Sequence, residues 1–478
     1  MTNSATETTE TETTETVTTE TVTTPETSTA HSSPTLERPR RSRLRRLGLG
    51  LGALLLLALV VSLVMHLTGR SKYAASVAAF QEVLGDVVPD PRPAALMAQI
   101  ASYAPEPVAD VDNAARYLVA GAEAVVWGEG EYDVVRELAA MPVADWAVEQ
   151  RQILTRVLDR NRGALDTMSS AVPLPDHDFG LDYDDIMNVE VPDLLGQLRA
   201  GVLLSLEGRL ALTEGDLDLG FEALDNLDRM SRALREEEVL IFSLVAHVTE
   251  RMALHAIVEI LESDEAWARD PEVLARAESW LLDDDLATYT REVVALDSAV
   301  LSYSMLLGHP EEFLERPALS KLSRYLVGHR YAGHFLDQGR QTAVLVEKPF
   351  GTHREIYDAP APEGVSGMIL GNYRNAVAKA QAALSQRQLV RNAIALRRAG
   401  LDRGSYLGAC AGVTGQPDPF LGEPPTCEID ADGSLRLELV GAREMIEEIS
   451  PGPRTSWITA ARLPAPLIPE EPSAGEAP

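Results

Sequence analysis

Residues 216–235 read DLDLGFEALDNLDRMSRALR, and this stretch decides the class of fold. Its apolar side chains recur in steps of three and four, at Leu217, Phe221, Leu224, Leu227, Met230 and Leu234. Because an α-helix turns once in about 3.6 residues, this spacing places them all on one face. The stretch therefore predicts an amphipathic helix that packs on a larger apolar body.

The segments on either side continue the helical pattern. Residues 193–213 carry a similar stripe and end at Glu214-Gly215, a pair typical of a helix C-cap. Residues 237–262 are apolar on most sides, which predicts a central helix. Further helical patterns lie at 110–127, 130–140, 143–160, 271–282, 287–307, 318–337 and 368–399. Since aromatic residues make up only 5% of the chain, we predict a mainly α fold.

Two junctions share a helix, Gly-acidic turn, helix order, at 114–141 and 208–230. Each resembles the hairpin of tetratricopeptide-type repeats, but Gly130 and Gly215 are too far apart for the usual period of about 34 residues. We therefore predict an irregular α-helical hairpin domain over residues 69–400, without a regular solenoid.

The N-terminal 46 residues predict a disordered cytoplasmic tail. Residues 13–27 repeat a pentad, TTETV TTETV TTPET, which offers almost nothing to bury. The tail ends in a cluster of arginines, Arg38, Arg40, Arg41, Arg43, Arg45 and Arg46.

Residues 47–68 carry no formal charge and predict a transmembrane signal anchor. The arginines before this span outnumber Arg70 and Lys72 after it, which places the N-terminus in the cytoplasm by the positive-inside rule. Cleavage near Ala74–Ala79, as in a signal peptide, is the alternative. We expect a single-pass protein of the bacterial inner membrane with a periplasmic or other extracytoplasmic domain, in contact with membrane lipid through residues 47–68.

The chain is strongly acidic, with a net charge of −31. Such a surface repels the phosphate backbone of nucleic acids, so we do not expect nucleic acid as a partner. Other proteins of the cell envelope are the partners that we consider.

After Gly400 the helical period stops. Gly and Pro become dense, and Leu435, Leu437 and Leu439 alternate with polar residues as in a half-buried strand. Asp432-Gly433 stands where a hairpin turn would fall. We predict a small β segment at 401–460 and a disordered tail at 461–478.

Residues 388–440 resemble the end of the pilin and pseudopilin pattern. QLVRNAIALRRAGLDRGSYLGA (388–409) and DPFLGEP (418–424) precede the expected strand pair, although Leu407 replaces a proline and GAREMIEEIS (441–450) replaces an acidic calcium-binding stretch. The chain is also similar to uncharacterised exported helical proteins of bacteria that combine an anchor with this DPF segment. The resemblance implies a structural turn at Asp418, Pro419, Phe420 and Gly422, and no ion site there.

Cys410 and Cys427 are the two cysteines of the chain, and both lie in the part expected outside the cytoplasm. We predict a disulfide between them, with two buried free thiols as the alternative.

The densest run of potential metal ligands is PDHDFGLDYDD at 175–185. As an EF-hand loop it fails, because Leu181 and Met187 occupy the positions that need glycine and a bidentate acid. We expect a solvated loop, with a weak calcium site as the alternative, formed by Asp176, Asp178, Asp182 and Asp184.

Other motifs of catalysis or cofactor binding are missing from the sequence. There is no HExxH, P-loop, GxSxG, GxGxxG or CxxC motif, so we predict no catalytic, cofactor-binding or metal residue and no cofactor. We expect packed or boundary roles for His247 and His255. These observations favour a membrane-anchored scaffold or interaction protein of the cell envelope that is not an enzyme. The alternatives are an accessory component of a pilus-like or secretion assembly and an envelope hydrolase without a recognisable motif.

Overall fold

The computed structural model describes residues 41–466 except for 104–107, 183–190, 238, 282–285, 308–316, 358–364, 404–405, 407, 414, 416 and 450–457. By its backbone contacts the chain divides into two units, residues 1–60 and residues 61–478. The described part of the first unit, residues 41–60, is helical throughout.

The helices follow one another along most of the chain, so the predicted mainly α fold is confirmed. They are α1 (Arg41–Leu84), α2 (Pro93–Tyr103), α3 (Ala114–Glu123), α4 (Glu131–Ala139), α5 (Val148–Ser169), α6 (Leu194–Glu214), α7 (Leu217–Arg235), α8 (Leu240–Glu262), α9 (Pro271–Ser279), α10 (Leu286–Leu307), α11 (Pro317–Leu345), α12 (Arg354–Tyr357), α13 (Val365–Arg403), α14 (Cys410–Val413) and α15 (Ala442–Ile449). The strands are β1 (Thr426–Ile429), β2 (Leu435–Glu438) and β3 (Ala460–Leu463).

Helix α8 is the centre of the second unit, as its all-round apolar sequence predicts. It contacts α6, α7, α10 and α13, and Phe242, Ile257 and Ile260 are completely buried. The stripe of α7 that includes Leu224, Leu227 and Met230 is buried as well. The periodic apolar sequence therefore forms the core of the domain.

Local signals set the ends of the α6–α7 hairpin. Gly215 follows α6 with φ +82°, a conformation that residues other than glycine rarely adopt. The Asp216 side chain then caps α7 by accepting a hydrogen bond from the backbone N–H of Leu219. Helix α7 approaches α6 closely at Gly220, where a Cβ would lie 2.7 Å from Leu212 Cγ.

Two features of the helices differ from the sequence predictions. Pro93 begins α2, a helix that the proline-rich sequence around it concealed; proline suits the first turn of a helix, where its missing N–H costs nothing. The predicted domain boundary at residue 69 falls inside α1, and the later part of this helix belongs to the core. Val77, Phe80 and Leu84 are buried there.

Two helices in the described part of the chain are long and apolar enough to cross a membrane. They are α1 over Leu55–Leu84, with mean hydropathy 1.4, and α8, with mean hydropathy 1.3. Only 6% of the apolar window of α1 is buried, against 67% for α8. Packing inside the domain therefore accounts for the apolar sequence of α8.

The C-terminal sheet is antiparallel with the order β1-β2-β3, and Leu437 pairs with Cys427 on one side and with Ala461 on the other. The alternating leucines of β2 are buried as predicted. The predicted tail boundary at 461 is wrong, because residues 460–463 form the third strand. The Tyr406 hydroxyl and the buried Arg397 guanidinium donate hydrogen bonds to Pro464 O, at 2.8 and 3.1 Å, and hold the chain beyond β3.

Candidate functional site

The loop that contains the acidic run is held to the domain by its backbone. The Asn113 side chain accepts a hydrogen bond from Asp178 N (2.9 Å) and donates one to Asp178 O (2.8 Å), while it also caps α3. Asp176 O accepts from Ala114 N at 3.0 Å. A loop fastened at these backbone atoms is ordered by contacts that do not involve its carboxylates.

Aromatic side chains of the same loop pack inward. Phe179 lies edge-on to Phe242 of α8, with ring centroids 5.4 Å apart, and His177 lies against Phe179. Burial lowers the pKa of His177, which lies 3.5 Å from Glu236. The loop therefore packs on α8 through its aromatic side chains, whereas the sequence analysis expected a solvated loop. The pattern of alternating acids did not indicate this packing.

The carboxylates of Asp176 and Asp182 belong to exposed residues, and Asp178 Oδ1 accepts from Gly180 N at 2.7 Å. Within the described part of the chain, no group of three or more His, Cys, Asp or Glu residues is arranged to hold a metal ion. Asp184 lies outside the described residues, so the weak calcium site stays a hypothesis.

The DPF segment forms a tight turn on α13. Asp418 Oδ1 accepts hydrogen bonds from the backbone of Phe420 (2.9 Å) and Leu421 (2.7 Å), and the other oxygen accepts from the Ser385 hydroxyl. Burial raises the pKa of the Asp418 carboxyl. The half-buried Pro419 follows it in the turn.

The rest of this turn is fixed by an aromatic stack and a glycine. The Phe420 ring lies parallel to Phe350, with centroids 5.1 Å apart. Gly422 has φ +77°, and a Cβ there would lie 2.4 Å from Thr352 Cγ2. Asp418, Phe420 and Gly422 of the predicted turn therefore contribute to packing the C-terminal segment, and Pro419 lies between them in the same turn.

Cys410 of α14 and Cys427 of β1 are joined by a disulfide, with Cα atoms 5.7 Å apart. The bond links the loop after α13 to the first strand of the sheet.

The two histidines singled out in the sequence, His247 and His255, lie eight residues apart on α8. His247 is buried in α8, where its Nε2 lies 3.3 Å from the Ser243 hydroxyl, and burial together with the nearby Arg235 and Arg387 lowers its pKa to about 3. A neutral histidine in this setting acts as a packed core residue, in agreement with the interpretation from sequence.

An ion pair that the sequence analysis missed lies beside His247. Arg387 of α13 donates two hydrogen bonds of 2.7 Å to Glu250 of α8, and both side chains are buried. The sequence did contain one signal for this ion pair, a glutamate on a helix that is otherwise apolar nearly all round. The partner of this glutamate could not be identified, because it is remote in sequence.

The strongest candidate for a binding site is a groove between α1 and α11, with a volume of about 500 Å³. We call it the α1 groove. Most of the lining belongs to α1, and it combines apolar with polar side chains. The lining residues are Arg70, Tyr73, Ala74, Val77, Ala78, Gln81, Arg92 and His329.

The lining of the α1 groove includes aromatic and basic side chains. The His329 ring lies edge-on to His66 and Tyr73, with centroids 5.5 and 5.8 Å apart, and burial lowers the pKa of His329. Arg92 forms an ion pair with Asp90. Because its lining combines apolar side chains of α1 with aromatic and basic ones, the groove is suited to binding an amphiphilic molecule or segment.

Helix α11 approaches α1 closely beside this groove. The Ser76 hydroxyl lies 3.1 Å from an Asp337 carboxylate oxygen and donates to it, and a Cβ at Gly333 would be 3.0 Å from the Ser76 oxygen. The sequence analysis assigned residues 47–68, within α1, to the membrane and did not foresee a groove on the later part of the same helix.

Comparison with protein-family models, with curated proteins and with solved structures finds no match for this chain.

Proposed function

We propose that this protein is a single-pass, membrane-anchored helical scaffold or interaction protein of the bacterial cell envelope. Its N-terminal tail is cytoplasmic, and its helical domain lies on the other side of the inner membrane. The observation that carries the proposal is the apolar first part of α1 directly after the arginine cluster.

The exposure of this part of α1 supports a lipid environment. The Leu55, Leu56 and Leu57 side chains are 64%, 66% and 61% exposed. Burial of apolar area is worth about 25 cal/mol per Å², so a run of such side chains is costly in water and favourable in hydrocarbon.

Two further features support an extracytoplasmic domain that acts by binding. The Cys410–Cys427 disulfide suits an oxidising compartment. The α1 groove follows the apolar run along α1 within a few helical turns, so a partner held there would lie near the bilayer.

Reporter fusions at Ala30 and at Ser473 test the topology. We expect activity of a cytoplasmic reporter at Ala30 and of a periplasmic reporter at Ser473. In a control chain with all six arginines of the cluster changed to glutamine, this preference should weaken. A periplasmic signal at Ala30 or a cytoplasmic signal at Ser473 in the unchanged chain contradicts the proposal.

The C-terminal segment supports a second candidate, an accessory component of a pilus-like or secretion assembly. Long helix α13, the DPF turn and an antiparallel sheet follow in the order of the pilin pattern that residues 388–440 resemble. Co-purification with a pilin-type filament that is lost when Phe420 is changed to alanine, but retained with a surface change such as Arg436→Gln, would favour this candidate.

A further inference from the structure

The α1 groove lies on the part of α1 that directly follows the proposed membrane span. The lining side chains of α1 recur at positions 70, 73, 74, 77, 78 and 81, so they share one face of the helix. Exposed apolar side chains precede this face, and Val64 and Leu67 are both 56% exposed. An exposed apolar surface therefore leads along α1 to the groove.

The first turn of the groove face falls at the depth of lipid headgroups when residues 47–68 span the bilayer. An α-helix rises about 1.5 Å per residue, so Arg70 lies about 4.5 Å and Lys72 about 7.5 Å beyond Leu67 along the helix axis. The headgroup layer on each side of a bilayer is about 5–8 Å thick. Both basic side chains therefore meet this layer. The inference drawn from this placement rests on the proposed membrane anchor.

The charge of this region is opposite to that of the whole chain. The sequence contains no acidic residue at 41–81 of α1 or at 317–336 of α11, in a chain with net charge −31. Arg70 and Lys72 are exposed, and within the described part of the chain neither forms an ion pair. These two basic groups are therefore accessible to an anion from outside the chain.

Close packing of α11 on α1 forms the groove. A Cβ at Gly69 would lie 3.6 Å from His329 Cβ, and a Cβ at Gly333 would lie 3.3 Å from Tyr73 Cα. These contacts bring the backbones of the two helices together and place the His329 ring beside Tyr73. The volume of about 500 Å³ lies within the roughly 300–1,000 Å³ of typical small-molecule sites. The groove therefore exists before a ligand binds and has room for a lipid headgroup.

We propose that the α1 groove binds the headgroup of an anionic phospholipid from the adjoining leaflet. The Arg70 guanidinium donates to the phosphate, whose oxygens match its paired N–H groups. Tyr73 contacts the headgroup as aromatic side chains do at the membrane–water interface. The acyl chains run back into the bilayer along the exposed apolar side chains that precede the groove. Arg92, the other arginine of the lining, is already paired with Asp90, so Arg70 supplies the charge.

The test is the lipid selectivity of the full chain, reconstituted in vesicles of equal parts phosphatidylglycerol and phosphatidylcholine. Native mass spectrometry after mild detergent extraction measures the ratio of the two lipids that stay bound. The unchanged chain should retain phosphatidylglycerol in excess. Arg70→Gln should lower the ratio by about fivefold, the usual effect of one basic side chain near an anionic bilayer surface.

Lys72→Gln is the matched control, since Lys72 is exposed at nearly the same depth on α1 and lies outside the groove lining. It should lower the ratio less than Arg70→Gln does. Ala74→Trp fills the groove from an exposed position without a change of charge, so it should lower the ratio as well. Equal ratios for Arg70→Gln and Lys72→Gln, or an unchanged ratio for Ala74→Trp, overturn the proposal, because they indicate attraction by charge without a site in the groove.

Failure of the membrane anchor gives a different result. Alkaline carbonate that strips the unchanged chain from the vesicles contradicts the membrane span and, with it, the lipid site. A chain that stays inserted but retains the two lipids in equal amounts overturns the lipid site alone. That result indicates that the chain's own carboxylates neutralise Arg70.

Discussion

At the scale of single residues, the Glu250–Arg387 ion pair shows how a buried charge can hold two helices together. The two side chains are 5% and 2% exposed and meet through two hydrogen bonds of 2.7 Å. A buried ion pair stabilises the fold little more than apolar side chains of the same size would. Removal of one partner is destabilising, because it leaves the other charge buried without a countercharge.

We therefore expect Arg387→Met to lower the free energy of unfolding by about 3–5 kcal/mol, since it leaves Glu250 buried without a countercharge. The double change with Glu250→Leu should recover part of this loss. The matched control is Arg436→Met, because the Arg436–Glu428 pair is 48% and 64% exposed and should contribute at most about 1 kcal/mol. Denaturant unfolding measures all three; equal losses for Arg387→Met and Arg436→Met would contradict this account.

His247 makes the stability depend on pH. Its pKa is about 3 in the folded chain, lowered by burial and by Arg235 and Arg387, whereas an unfolded histidine has a pKa of about 6.5. Below pH 6.5 the unfolded chain binds the additional proton, so stability falls as pH decreases towards 3. The slope is about 1.4 kcal/mol per pH unit.

Comparison with His247→Gln isolates this effect from other titrating groups. The unfolding free energy of the unchanged chain minus that of the variant should decrease by about 2 kcal/mol from pH 6.5 to pH 5. A difference that stays constant over this range would show that the His247 ring is not desolvated.

At the scale of elements, the disulfide anchors the exposed strand β1 of the small sheet. Strand β1 is exposed at most of its residues, so it buries little apolar area, and the disulfide closes a sequence separation of 17 residues. In the chain-entropy model a loop of this length contributes about 3 kcal/mol.

We expect the Cys410→Ala, Cys427→Ala chain to lose order first in its C-terminal segment, with faster proteolysis after α13. Alkylation of the unreduced, denatured protein should label neither cysteine. Two labelled cysteines would reject the bond and weaken the extracytoplasmic placement with it.

The docked loop at 175–182 leads to a prediction about calcium. Replacing Asp178 and Asp182 by asparagine should change stability by no more than about 0.5 kcal/mol, because asparagine keeps the turn at Gly180 and Asp182 is exposed. Asn113→Ala should cost more, about 1–2 kcal/mol, since it removes the α3 cap and both bonds to Asp178.

Calcium should leave the melting curve nearly unchanged, since a ligand stabilises only as far as it binds the folded state. A rise in melting temperature with calcium that disappears in the Asp178, Asp182 double variant would instead establish the calcium site.

At the scale of the whole molecule, the two parts of α1 differ in their surroundings. Its first part is apolar and exposed, as the proposed membrane span requires, and its last turns complete the core of the domain. We expect a fragment of residues 69–478 to fold cooperatively, whereas a fragment of residues 86–478 should not. The shorter fragment lacks Val77, Phe80 and Leu84, each worth about 1.5–3 kcal/mol, against a total stability of about 5–15 kcal/mol. Equal melting transitions in circular dichroism would contradict this role.

The sequence by itself determined the features that depend on neighbours a few residues apart. Helical periodicity located α6, α7 and α8; Gly215 and Gly433 marked turns at their positive φ values; and alternating leucines located β2. These signals are reliable because one turn of helix or one step of strand is a local geometry.

Only the tertiary structure decided which distant residues meet. Only packing of elements far apart in the chain brings together Glu250 and Arg387, Ser76 and Asp337, and strands β2 and β3. Tertiary structure also decided that α1 continues through residue 69 into the domain core. The sequence pattern of an apolar helix is the same whether lipid or protein covers it. Burial depends on the partner that covers a surface, and that partner is not encoded in the local pattern.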